Sequence, residues 1–147
     1  MHIVFAVSHR EALISNQWAD QLYSYLAGIC RNRKHFVHAI GGTADHVHML
    51  VGMNAAESVS SLVKELKGQS SHWINENYRR GSFAWQNGYA AFSYSLSMVP
   101  IVKQYIDNQY EHHRHKTFRE EVEALLRKAG IEYNPAYLMQ GFVEAEE

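Results

Sequence analysis

The chain has a single cysteine, Cys30, so no disulfide can form within it. A lone cysteine among apolar neighbours reads as a small buried hydrophobe. No apolar run approaches membrane-spanning length, and the first residues lack a signal-peptide pattern. These absences point to a cytoplasmic protein. No repeat, linker or low-complexity tract appears. The absence of a Walker loop or kinase signature argues against a nucleoside triphosphate as cofactor or phosphate source. Positive charge is not in excess either. A net charge of −1 excludes a protein that grips nucleic acid by bulk charge alone.

What remains is ordinary globular material: 147 residues, 46% apolar and 20% charged. This is enough for one domain with a real core. Charge is unevenly spread. Residues 119–147 hold Glu120, Glu121, Glu123, Glu132, Glu144, Glu146 and Glu147 against Arg119, Arg127 and Lys128. The body of the chain is therefore mildly basic and its end acidic.

Apolar patterning gives the order of elements. Residues 2–7 (HIVFAV) read as a buried strand. Residues 16–30 read as a helix, with Trp18, Leu22, Tyr25, Leu26 and Ile29 at helical spacing and Ser15 or Asn16 as N-cap. Residues 34–40 (KHFVHAI) read as a second strand, with Gly41-Gly42 turning the chain into a third. Asn54 and Glu57 resemble a capping box before a long helix with small Gly68 and Ser70 in it, as if something approached its backbone closely. Residues 89–97 alternate as a fourth strand. Ser97 and Pro100 suit the start of a third helix. Thr117 and Glu120 form a second capping box, for a helix ending at Gly130. The order βαββαβ followed by two helices is the ferredoxin-like, split-βαβ form of the α+β class. One domain over 1–147 is expected: a core over 1–97, a helix over 98–116, then a helix and acidic tail over 117–147.

The fold hosts many functions, so function must come from the site. The stretch TADHVHMLVG (43–52) places His46 and His48 on one strand face, with Val47, Met49 and Val51 on the other. In this topology the first and third strands are central, so both imidazoles sit mid-sheet. Taken alone, they suit a polar strand face as well as a metal site. The third helix, with VKQYIDNQYEHHRH (102–115), adds to them. Tyr105 and Gln109 are four apart and share a face, which Val102 and His112 or His113 extend. Two imidazoles and an amide oxygen can hold a divalent cation. A tyrosine one turn away can reach a group bound to it, and tyrosine is a covalent nucleophile. With triphosphates set aside, the natural substrate is a phosphodiester in nucleic acid.

At this point the sequence resembles the single-tyrosine HUH transposases of the smallest bacterial and archaeal insertion sequences, to which REP-associated tyrosine transposases are related. The likeness runs through HIVFAVSHREALI, GGTADHVHMLV, VSSLVKELKGQSSHWI, FAWQNGYAAFSYS and VKQYIDNQYEHH, nearly the whole chain. It implies Tyr105 as nucleophile and His46, His48 and Gln109 as ligands of Mg2+ or Mn2+. It implies attack on single-stranded DNA beside hairpins at element ends, giving a 5′-phosphotyrosine and a free 3′-OH. It also implies a prokaryotic, nucleoid-associated homodimer. Exposed edges of a four-stranded sheet agree with pairing, so a trans site is expected, with the histidines from one chain and Tyr105 and Gln109 from the other. Three departures stand out. Ser8-His9-Arg10 replaces a turn that often carries lysine, leaving that work to Arg10; Ala44 stands for a usual proline, and Ala91 for a usual glycine.

Imidazole favours zinc or copper while magnesium prefers oxygen, so the implied ion and the histidines pull apart. No dedicated base for Tyr105 is visible. DNA contacts are expected from Arg10, Arg33, Lys34, Lys64, Lys67, Arg79 and Arg80, with Trp85 as a stacking platform. Two other readings stand beside the transposase: a domesticated or non-catalytic ferredoxin-like nucleic-acid binder, and a zinc hydrolase. Against the zinc hydrolase, the sequence pattern shows no carboxylate general base near the histidines.

Overall fold

The computed structural model describes residues 1–132; the expected acidic tail with Glu144, Glu146 and Glu147 falls outside them. Four strands form one antiparallel sheet in the order β2-β3-β1-β4. They are β1 (His2–Ala6), β2 (Phe36–Gly42), β3 (His46–Gly52) and β4 (Ala90–Phe92). The helices are α1 (Ala19–Asn32), α2 (Val59–Ile74), α3 (Val99–Asp107), α4 (Gln109–His113) and α5 (Phe118–Lys128). β1 and β3 are central, as the topology requires. None of the described helices is long and apolar enough to cross a membrane.

Strand alternation divides the protein into layers. One sheet face carries Ile3, Phe5, Val47, Met49 and Val51, which pack with Leu22 and Leu26 of α1 and Leu62 and Leu66 of α2. The other carries His2, Val4, Ala6, His46, His48 and Leu50. Val4 and Ala6 pack with Phe118, Val122 and Leu125 of α5. Leu50 and Ala39 pack with Val102 and Ile106 of α3. The histidine face is thus roofed by α3–α5, and the two imidazoles lie inside a layer boundary.

Local signals were displaced more than they failed. Ser15 caps a turn: its hydroxyl accepts from Gln17 N–H and its carbonyl from Trp18 and Ala19, so α1 begins three residues later than expected. Asn54 likewise holds a turn, and Ser58 caps α2 by accepting from Ser61 N–H. Glu57 is released from capping to bind Arg33, His35 and Ser61. The fourth strand is only three residues long, and the polar Ser93-Tyr94-Ser95 leads into a short 3-10 turn at Leu96–Met98. The capping box of Thr117 and Glu120 forms in full, and Gly130 takes φ 69° just beyond α5.

The largest correction concerns Gly41 and Gly42. They are not the turn: they pair with His48 and Val47 within β2, and the turn is Thr43-Ala44-Asp45. Their smallness serves packing. A Cβ on Gly41 would lie 2.6 Å from the backbone oxygen of Ile106, and one on Gly42 would lie 2.2 Å from that of His46. Gly41 lets α3 come down onto the sheet, and Gly42 lets the chain fold closely against β3 at the turn.

Candidate active site

β3 delivers His46 and His48, each 0% exposed, and α3 and α4 deliver Tyr105 and Gln109. The helix breaks between the last two at Asn108, yet both side chains still reach one point. His46 Nε2 lies 3.1 Å from Gln109 Oε1. The Tyr105 ring centroid is 6.0 Å from that of His48. All four residues belong to one chain. The short α3–α5 connections fold Tyr105 back over the sheet of its own chain.

At the centre stands a residue the sequence reading passed over. Glu121 of α5 is 2% exposed. Its Oε1 lies 3.0 Å from His48 Nε2, 2.9 Å from His113 Nε2 and 3.4 Å from His46 Nε2. Its Oε2 accepts a hydrogen bond from the Tyr105 hydroxyl and another, at 2.9 Å, from the Gln109 amide nitrogen. The imidazoles are fixed from behind. His46 Nδ1 is 2.7 Å from Asp45 Oδ1, and His48 Nδ1 is 2.7 Å from His2 Nε2. Such outer partners set ring orientation, leaving both Nε2 atoms turned to the centre.

The charges follow from this packing. Burial would raise the Glu121 pKa, but hydrogen bonds from His113, His46 and His48 outweigh it and hold the carboxyl well below the usual carboxylate range. Burial opposes charge on His46, yet its bonds to Asp45 and Glu121 prevail and lift it to about 9. Burial lowers His48 to about 4 and His2 to about 3. Tyr105 is pushed far up by burial and by the charge and hydrogen bond of Glu121. A stability profile follows for the metal-free protein, taking about 6.5 for histidine and about 4.3 for glutamate in the unfolded chain. The neutral forms of His48 and His2 stabilise above pH 6.5, and that share is lost as pH falls through their depressed values. The Glu121 share is likewise lost in acid. The His46 share is complete below pH 6.5 and is lost as pH rises through 9. Thermal melts in chelator across this range are expected to peak near pH 6.5 and fall on both sides.

The donors suit a divalent cation. His46, His113 and Glu121 offer ligand atoms all within 4.8 Å of one another, with Gln109 Oε1 and His48 Nε2 beside them. Imidazoles, an amide oxygen and a carboxylate converging in a buried space form a mixed N/O ligand set.

The sequence model of the family described as "Transposase IS200 like" matches residues 1–109. This chain belongs to that family. The ISDra2 transposase TnpA of Deinococcus radiodurans is 24% identical over 116 residues, covering 75% of this chain and 83% of that protein. The transposase of insertion sequence element IS200 from Salmonella typhimurium is 31% identical over 117 residues, covering 75% and 76%. A crystal structure from Deinococcus radiodurans assigned as a transposase aligns with TM-score 0.60 and 25% identity, over 74% of this chain and 88% of that one. The fold is shared also with a REP-associated tyrosine transposase bound to a REP hairpin, at TM-score 0.59 and 16% identity over 76% and 66%.

For an IS200-like transposase, the site has one notable boundary. His46, His48, Tyr105 and Gln109 lie inside the matched stretch, while His113 and Glu121 lie beyond it. Glu121 did leave a signal. Phe118, Glu121, Val122 and Leu125 share one helix face, so an acid interrupts an apolar stripe. His2 was hidden by its place at the chain start.

The expected DNA contacts fare worse. Trp85 is 7% exposed, stacked edge-on against Phe5 and Phe83, and donates its indole N–H to Ser70 at 2.9 Å. It is core and no stacking platform, and Ser70 is small to receive it; a Cβ on Gly68 meets nothing within 4 Å. Lys67 donates to the carbonyls of Gln86 and Gly88, tying down a loop. Arg33 is held by Glu57. Lys34 follows α1, and Lys64, Arg79 and Arg80 belong to α2 and its terminal turn, across the sheet from the histidines. Arg10 ends the 3-10 turn after β1.

Proposed function

We propose that this chain cuts and rejoins single-stranded DNA at insertion-sequence ends through a phosphotyrosine on Tyr105. The observation that supports the reading is the convergence of the Tyr105 hydroxyl, the Gln109 amide, His46 and His48 around one buried point. The Tyr105 oxygen attacks a backbone phosphorus, forming a new P–O bond as the bond to the 3′ oxygen breaks. A 5′-phosphotyrosine and a 3′-OH result, and a 3′-OH of the same or another strand reverses the step. No triphosphate is consumed. His46, His48 and Gln109 would hold a divalent cation, Mg2+ or Mn2+, which would supply polarisation of the phosphoryl oxygen. The carboxylate and amide oxygens suit these harder ions better than histidines alone would. Glu121 Oε2 is the atom positioned to hold the Tyr105 proton, and His48 is oriented by His2. Because His46, His48, Gln109 and Glu121 are buried, α5 must shift for a phosphate to reach Tyr105.

A REP-associated tyrosine transposase of the same fold is bound to a REP hairpin, which supports a structured single strand as the substrate of this reading. With Mn2+, the protein and a labelled hairpin-bearing single strand should give a covalent adduct on a denaturing gel. No adduct with any such strand, despite binding, would favour the non-catalytic binder instead. We propose further that the site works within one chain. Mixing Tyr105→Phe protein with His46→Ala, His48→Ala protein, after verified subunit exchange, should give no activity. Recovery would establish the trans homodimer.

A further inference from the structure

The connection between α4 and α5 reads His113-Arg114-His115-Lys116, and it borders an open groove of about 880 Å3. The opposite banks are the β1–α1 turn with His9 and the β2–β3 turn with Asp45. His9 takes φ 55°, an uncommon conformation for a residue with a Cβ, at the rim of this groove. The acids in the lining are occupied. Asp45 bonds His46 and Thr43, and Glu120 closes the capping box with Thr117. Arg114 rests on exposed Glu111 at 3.3 Å, a surface pairing of little worth. The connection thus sets two cations, Arg114 and Lys116, on the groove, while the groove's two carboxylates, Asp45 and Glu120, are engaged with partners within the protein. Tyr110, 55% exposed, adds an aromatic wall. The groove leads to the site, because His113 lines it and bonds Glu121.

Paired cations beside an accessible aromatic are the combination that holds a single strand, through phosphates and a stacked base. We propose that this groove is the track by which single-stranded DNA reaches Tyr105, with Arg114 and Lys116 on phosphates and Tyr110 under a base. The proposal rests on the strand-transfer reading above. It moves the DNA grip away from α2, and it explains how a chain of net charge −1 can bind DNA locally.

The test is fluorescence anisotropy with a labelled hairpin-bearing single strand and a fully paired duplex, across a salt series. The Arg114→Ala, Lys116→Ala double variant should bind the single strand at least about tenfold more weakly. Its log–log salt slope should shrink by about 1.4, the share of two phosphates on a single strand. Tyr110→Ala should lose about tenfold, while Tyr110→Phe, which keeps the ring, should bind as wild type. Lys64→Ala should change nothing. A double variant with wild-type affinity and slope overturns the groove, as does an equal loss on the duplex. Wild-type binding without any covalent adduct would sink the strand-transfer reading and leave the groove standing. Adduct formation with groove variants that bind normally would do the reverse.

Discussion

Tyr105→Phe protein is expected to fold, to bind hairpin DNA and to form no covalent adduct. The substitution removes one oxygen and leaves the ring against His48 and His112. The loss is one hydrogen bond to a charged acceptor, about 1.5–3 kcal/mol against a typical domain stability of about 5–15. Glu121 Oε2 keeps its bond from Gln109, so the carboxylate is not stranded. Chemistry, by contrast, loses its only attacking atom, and the expected fall is to background. A denaturing gel with labelled DNA reads the result directly. A phenylalanine variant that still carried DNA through the gel would remove Tyr105 from its role and require another nucleophile.

His48→Ala, or an excess of chelator on the wild type, should abolish adduct formation equally while most DNA affinity survives, since phosphate contacts elsewhere dominate binding. Mn2+ or Mg2+ should restore the chelated wild type and leave the variant inactive. The variant also deprives Glu121 of one of its imidazole partners and leaves His2 Nε2 without its acceptor or donor. Its melting temperature should fall as well, so activity is to be compared below the transition. Manganese titrated against the protein by electron paramagnetic resonance gives a second readout, in which His48→Ala should bind the ion more weakly. Full adduct yield in chelator would contradict a role for any cation.

How much of this was legible depends on the range of the interaction. The β-order, the central place of β1 and β3 and the shared face of Tyr105 and Gln109 follow from periods of two and three-to-four residues, and the structure keeps them. Caps slid by a turn wherever two polar residues competed, as Asn54 and Ser58 did for α2. Lys67 and Trp85 were candidate DNA contacts, and two loop carbonyls and a core pocket claim them. Such claims are made by partners 15 to 21 residues away, which no local pattern displays. Glu121 is the sharpest case. Its role depends on His46 and His48 more than seventy residues earlier, and on a helix landing on their side of the sheet. Only the acid within an apolar stripe hinted at it.

The close approach of Gly41 to α3 gives β2 a part in the proposed chemistry that its own side chains do not have. The carbonyl it touches belongs to Ile106, the residue directly after Tyr105. The height of Tyr105, the proposed nucleophile, above the histidines is thus set by what is missing from a neighbouring strand. Even a methyl group at position 41 would act as a wedge under the tyrosine helix, and the helix would ride up, carrying the hydroxyl away from its target while every reacting group stayed intact. A glycine that looks like a hinge in the sequence is in this sense a spacer of zero thickness, and its replacement would read in an assay as the loss of a catalytic residue.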